Sequence, residues 1–281
     1  MKAKTTKVAS KKVIKKAIKK PKKKRHVEWY GWRPDMPDYR DVHYEPHPKI
    51  LKKLPKKVDL KHHCPPVYNQ GLLGSCTANA IAAAIQFGLR KQHPKHDFMP
   101  SRLFIYYNER VIEGTVRIDN GAEIRNGIKT VVKHGVCPEI FWNYSDDNKI
   151  FKKKPLPDCY EEALNHQVLS YHRLHKNLEH MKACLAEGFP FLFGFTVYEE
   201  FEGETIKKTG ELNMPATHEK MKGGHAVMCV GYDEKSKRFI VRNSWDADWG
   251  QEGYFTMPYE YLTHPGLAED FWTIRLVEIP E

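Results

Sequence analysis

A thiol, an imidazole and a carboxamide stand out in this chain because each sits at an abrupt change of local character. Cys76 closes the loop YNQGLLGS (residues 68–75) and leads into the alanine-rich run ANAIAAAIQFGLR (residues 78–90). Ile81, Ile85 and Leu89 recur every four residues, with Ala78, Ala82 and Ala83 beside them, which predicts a buried helix starting at or within one residue of Cys76. The unpaired N–H groups and the dipole at a helix start favour negative charge and lower a thiol's pKa. His225 follows Gly223 and Gly224 and heads an apolar run, as a ring at the start of a strand would; Asn243 follows the strand-like FIVR and precedes Ser244 and Trp245. A nucleophilic cysteine needs a base to take its proton and a third group to orient that base. An Asn carbonyl can accept one imidazole N–H and so fix the tautomer that faces the thiol.

The elements that must bring these groups together fall into two sets. Helical spacing marks residues 100–113, with Leu103, Tyr106, Tyr107 and Ile112 facing inward, then residues 122–134 on Ile124, Ile128, Val131 and Val132, and the short stretch 178–187. A polar loop at 143–157 separates the halves. Beyond it, residues 191–197, 226–232, 239–242 and 253–257 are short and rich in β-branched and aromatic residues. Helices first and strands after imply an α+β chain of two lobes with a cleft between them.

Of the 46 Lys and Arg residues, 13 lie in residues 1–25, which contain no acid; the remaining 33 face 35 Asp and Glu. The basicity therefore belongs to a tail, expected to be disordered and able to attract polyanions such as nucleic acid. Residues 26–57 are rich in Trp, Tyr and Pro without a helical period, and predict an irregular arm laid over the body. Residues 58–281 form the folded domain, expected to be monomeric. Six scattered cysteines without a CxxC pair point to reduced thiols. The lone groups His62-His63-Cys64 and His180 with Cys184 lack the paired spacing of a zinc site, so no metal or other cofactor is expected. No secretory signal and no apolar run of membrane-spanning length is visible, so the expected location is intracellular (cytoplasm or nucleus) or inside a virion, neither secreted nor lysosomal nor in a membrane.

Three blocks together resemble the papain-like cysteine peptidases, the family of papain and the cathepsins. They are Asn69-Gln70-Gly71 through Gly74-Ser75-Cys76, Gly224-His225-Ala226-Val227 through Gly231-Tyr232, and Asn243-Ser244-Trp245 with Trp249-Gly250 and Gly253-Tyr254. The gap of 149 residues from Cys76 to His225 is compatible with that family. The resemblance implies a helical N-terminal lobe and an antiparallel β-barrel-like C-terminal lobe, with Cys76 as nucleophile, His225 as general base and then acid, and Asn243 as orienting residue. It also implies that Gln70 and the Cys76 N–H stabilise the oxyanion, that Trp245 shields the imidazole, and that Gly121, Ala122, Gly224 and Trp245 line the path of a peptide or protein substrate. The disulfide-poor forms of bacteria and large DNA viruses are the nearest in character.

Departures from that pattern are specific. Leu73 and Asp119 stand where the family pairs two cysteines, Thr77 stands where it has Trp, and Ala122 stands for a Gly. The long helical propeptide is missing, which leaves the arm as a short pro-segment in a zymogen-like chain. The alternatives are a catalytically silent papain-fold binding or packaging protein, and an electrostatic nucleic-acid binder working through its tail.

Overall fold

Residues 30–279 are described by a computed structural model. The tail at residues 1–25 and the first residues of the arm, Trp29 among them, lie outside the described residues.

The first half is built on one helix. After the one-turn helix α1 (Pro48–Leu51) and the short strand β1 (Lys57–Asp59), α2 runs from Cys76 to Gln92 with Ser75 as its N-cap residue. Alanine and unbranched residues favour the helical backbone here, and no proline interrupts it. Ile81, Ile85 and Leu89 are fully buried, each contributing about 1.5–3 kcal/mol of hydrophobic stabilisation. The helix α3 (Arg102–Ile112) starts at Ser101, whose hydroxyl accepts the Phe104 N–H, and α4 (Ile124–Lys133) buries Ile124, Ile128 and Val131. Both pack on α2.

One expectation for α3 fails. Ile112 is 49% exposed, while Asn108, Glu109 and Arg110 are buried. The inner face is set by partners that satisfy most of these polar atoms: Arg110 donates to the carbonyls of Tyr106, Val116 and Phe151, and Glu109 Oε1 accepts from the Thr77 hydroxyl, while Glu109 Oε2 is buried with no hydrogen-bond partner among the described residues. A buried polar side chain is tolerated when it is hydrogen-bonded.

The second half contains α5 (Pro157–Ala163), β2 (Val168–Arg173), α6 (Leu178–Ala186), β3 (Phe191–Tyr198), α7 (Glu204–Thr209), β4 (Met221–Asp233), β5 (Arg238–Arg242), β6 (Tyr254–Pro258), α8 (Tyr259–Thr263) and β7 (Ala268–Val277). Among the described residues the strands form one antiparallel sheet in the order β2-β7-β3-β4-β5-β6, with β1 added beside β4. The sheet is open; the barrel-like lobe expected from the resemblance is not closed by strand pairing. In the β4–β5 register Arg242 lies opposite Met228, so the chain leaving β5 at Asn243 returns alongside His225. The packing of α2 on β4 then brings the start of the helix to the same place.

Candidate active site

Cys76 is the first residue of α2, and its thiol receives a backbone hydrogen bond from Ala226, the residue after His225. His225 Nε2 and Asn243 Oδ1 are 2.8 Å apart, and Asn243 Oδ1 also accepts the Ser244 N–H at 2.8 Å. The ring of Trp245 lies 5.1 Å from that of His225, with Phe195 and Phe201 within 6 Å on other sides. This aromatic collar excludes water from the imidazole–carboxamide bond, which is worth more in a dry site.

Gln70 is anchored on both ends of its amide. Its Oε1 accepts the Ser244 hydroxyl at 2.6 Å and the Trp245 indole N–H at 3.2 Å, while Nε2 donates to the Leu73 carbonyl at 2.9 Å. The amide orientation is therefore fixed by the residues that follow Asn243. One N–H of Nε2 is taken by Leu73, and the group carries a second.

Sequence reasoning missed the residues that hold the 69–75 loop. The Tyr144 hydroxyl donates to the Gln70 carbonyl at 2.7 Å and lies 2.6 Å from Ser75 Oγ; Asn79 Nδ2 donates to the Ser75 carbonyl; and Arg102, paired with Glu139, donates to the carbonyl of Asn69. At the departures from the family pattern, the Gly74 N–H donates to Asp119 at 3.0 and 3.2 Å, and the Tyr106 hydroxyl donates to the same carboxylate. Asp119 thus ties the two loops by hydrogen bonds where a disulfide is absent, and all six cysteines are free thiols. Thr77 is equally specific: its hydroxyl bonds the buried Glu109 at 2.7 Å.

The arm lies across these groups. The Trp32 N–H donates to the Gly224 carbonyl at 2.9 Å, the Arg33 N–H to the Ala122 carbonyl at 3.1 Å, and the Ala122 N–H to the Gly31 carbonyl at 2.8 Å. Gly31 fits only because it has no side chain: a Cβ there would stand 1.6 Å from the Gly74 carbonyl oxygen. The Tyr30 ring lies 6.1 Å from that of His225, and Trp32 fills the space beside Gly194 and Gly224. With the arm in this position Cys76 and His225 are 0% and 1% exposed.

This burial reverses one expectation. The Cys76 thiol is pushed up to about 12, chiefly by burial, although backbone hydrogen bonds from Ala226 and Gly31 act against the shift. Desolvation outweighs the helix start while the arm is in place. Among the described residues no group of His, Cys, Asp or Glu has the arrangement of a metal site, and no helix is long and apolar enough to cross a membrane.

A thiol at a helix start and an imidazole held by a carboxamide, where helices meet the sheet, fit a cysteine peptidase of the papain type. Residues 54–273 match the papain family cysteine proteases, and the chain belongs to that family. A peptidase C1-like protein of Acanthamoeba polyphaga mimivirus is 50% identical over 220 residues, which are 75% of this chain and 70% of that protein. The crystal structure of xylellain, a cysteine protease from Xylella fastidiosa, superposes with a TM-score of 0.84 at 46% identity, covering 92% of this chain and 99% of that one. A cathepsin B-like protein of Giardia intestinalis is 28% identical over 214 residues, or 73% of this chain and 69% of its own length. The likeness to bacterial and viral forms anticipated from the sequence is thus met.

Proposed function

We propose that this cysteine peptidase cuts peptide bonds through Cys76, His225 and Asn243, and that residues 30–55 hold it in a latent form. His225 takes the thiol proton; the Cys76 sulfur attacks the peptide carbonyl carbon, and the carbonyl electrons move to oxygen. The second N–H of Gln70 Nε2 and the backbone N–H of Cys76 stabilise that oxyanion. Its collapse breaks the C–N bond, with His225 returning its proton to the leaving amine, and water then hydrolyses the thioester with His225 again as base. Asn243 holds the imidazole in the required tautomer throughout.

The observation that carries the chemistry is the 2.8 Å His225–Asn243 contact at the head of the helix bearing Cys76. Latency is supported by the arm's backbone pairing with Ala122 and Gly224, residues that the family resemblance would put on the substrate path. On this reading residues 58–281 are the peptidase domain and the arm is its pro-segment. The test combines an epoxide thiol trap with a peptide library, applied to the full chain, to a chain lacking residues 1–41, and to Cys76→Ala. Labelling at Cys76 and cleavage that rise on truncation and vanish in Cys76→Ala are expected. Equal turnover by the full and truncated chains refutes latency. A truncated chain with an open cleft that neither reacts nor cleaves supports the silent binding protein instead.

A further inference from the structure

The contacts that fasten the arm are concentrated in one buried cluster away from the thiol. The Trp32 indole N–H donates to Asp270 Oδ2 at 3.1 Å, and the backbone N–H of Asp35 donates to the same oxygen at 2.8 Å. Asp35 in turn accepts the backbone N–H of Arg125 at 3.1 Å and the Trp272 indole N–H at 2.8 Å. Arg173 bridges the set, 2.9 Å from Asp270 Oδ1, 2.9 Å from Asp41 Oδ2 and 3.8 Å from Asp35 Oδ2. Arg125 closes it by pairing with both oxygens of Asp41. The carboxylates of Asp35, Asp41 and Asp270 are nearly or wholly out of solvent, and two guanidiniums face them. Three buried negative charges against two positive ones leave one charge uncompensated in a desolvated site, which is costly until a proton is added.

We propose that the arm is fastened by a latch that takes up one proton as it closes, on either Asp35 or Asp270, so that its grip weakens as the solution turns from acid to neutral and alkaline. The consequence for turnover rests on the arm being the cleft's occluder; the latch itself does not. Burial raises the proton affinity of both carboxyls, and Asp270, with Asp35 as its second influence, is held at about 7 against an ordinary 3.8. With the arm withdrawn, Asp35 leaves the cluster and Asp270 loses its contacts with Trp32 and Asp35. The docked form therefore binds the extra proton between roughly pH 4 and 7; docking is at full strength below that window and declines as pH rises through it.

Other ionisable groups surround this contact. Glu123, raised by burial and by Asp35, acts in the same direction. Arg33 pairs with Glu113, Asp38 with Arg40, and Glu269 with Lys176. His43 stacks on His175 at 4.2 Å, which also meets Glu45 at 3.2 Å and His180 at 5.5 Å. Burial, His175 and Arg173 lower the proton affinity of His43, so docking releases a proton there and favours the opposite dependence below the ordinary histidine range. His43→Gln removes that opposing group.

The test reads docking directly, by amide hydrogen exchange in the full chain at pH 5 to 8, corrected for the intrinsic rate. The reporters are the Trp32 and Arg33 N–H groups that bond Gly224 and Ala122. In the His43→Gln background their protection is expected to fall about tenfold per pH unit to pH 7, roughly 100-fold from pH 5, and then level off, while β4 amides stay constant. Asp35→Asn, which leaves the body's own sequence untouched, and Asp270→Asn are each expected to flatten the slope. Protection that is flat or rises with pH in His43→Gln overturns the latch, as does an unchanged slope in both Asn variants. A sloping protection with turnover indifferent to truncation refutes occlusion and leaves the latch standing; flat protection with turnover released by truncation does the reverse.

Discussion

The closest test of latency is a single methyl group at Gly31. A Cβ at that position would stand 1.6 Å from the Gly74 carbonyl oxygen and 2.3 Å from its carbon, far inside any real contact. The Gly74 side cannot yield easily, because its loop is held by Tyr144, Asn79, Arg102 and Asp119. The arm must therefore move in Gly31→Ala. Overpacking of this kind typically costs about 1–3 kcal/mol, which converts to about a 5- to 150-fold rise in the population with the arm withdrawn. Because Cys76 is fully buried when the arm is docked, the rate of its alkylation in the full chain follows that population. Second-order labelling of Cys76, mapped by mass spectrometry, is expected to rise by that factor in Gly31→Ala, and to stay at the wild-type rate in Gly88→Ala, where a Cβ meets only Val277 at an ordinary 3.6 Å. Labelling of Gly31→Ala at the wild-type rate, with the Trp32 amide still protected, refutes the account of the arm as a tightly fitted cover.

Three further outcomes are expected. Gln70→Ala in the truncated enzyme lowers kcat/KM by about 10²- to 10³-fold, the usual loss for one oxyanion donor, measured by steady-state hydrolysis of a reporter peptide. Asp119→Ala frees the Gly74 N–H and the Tyr106 hydroxyl and costs about 1.5–3 kcal/mol in urea denaturation, since hydrogen bonds to a charged group are lost. Glu109 is raised to about 8 by burial, so its contribution to stability is fully present below about 4.5 and is lost as pH rises through 8; Tm is expected to fall across that interval and the fall to shrink in Glu109→Gln.

The candidate site was legible in the sequence because Cys76, His225 and Asn243 each mark a boundary between a loop and a regular element, and those boundaries are set by local composition. The helix α2 was legible for the same reason. Strands β2 and β7 escaped notice: Val168–Arg173 is half-exposed along most of its length, and Ala268–Val277 carries Glu269, Asp270 and Arg275 among its apolar residues, so neither shows the alternation of a strand with one wet face. The arm could be seen as irregular, but its place could not. Asp35 looks like a surface residue until Trp272 and Arg125, far along the chain, supply its partners. Asp119 illustrates the same limit: the missing disulfide was visible, whereas the carboxylate replacing it depends on a main-chain N–H that no residue pattern reports.

The arm and the cleft it covers are parts of one molecule, and that has a kinetic corollary. A tethered blocker has an effective concentration set by chain geometry, so dilution does not relieve it and crowding does not deepen it. If the arm keeps the enzyme latent as proposed, onset of cleavage is a first-order event for each chain, timed by the severing or unfastening of its own arm. A separate peptide spanning residues 30–45, added to truncated enzyme, must reach roughly millimolar levels to do the work of the attached one.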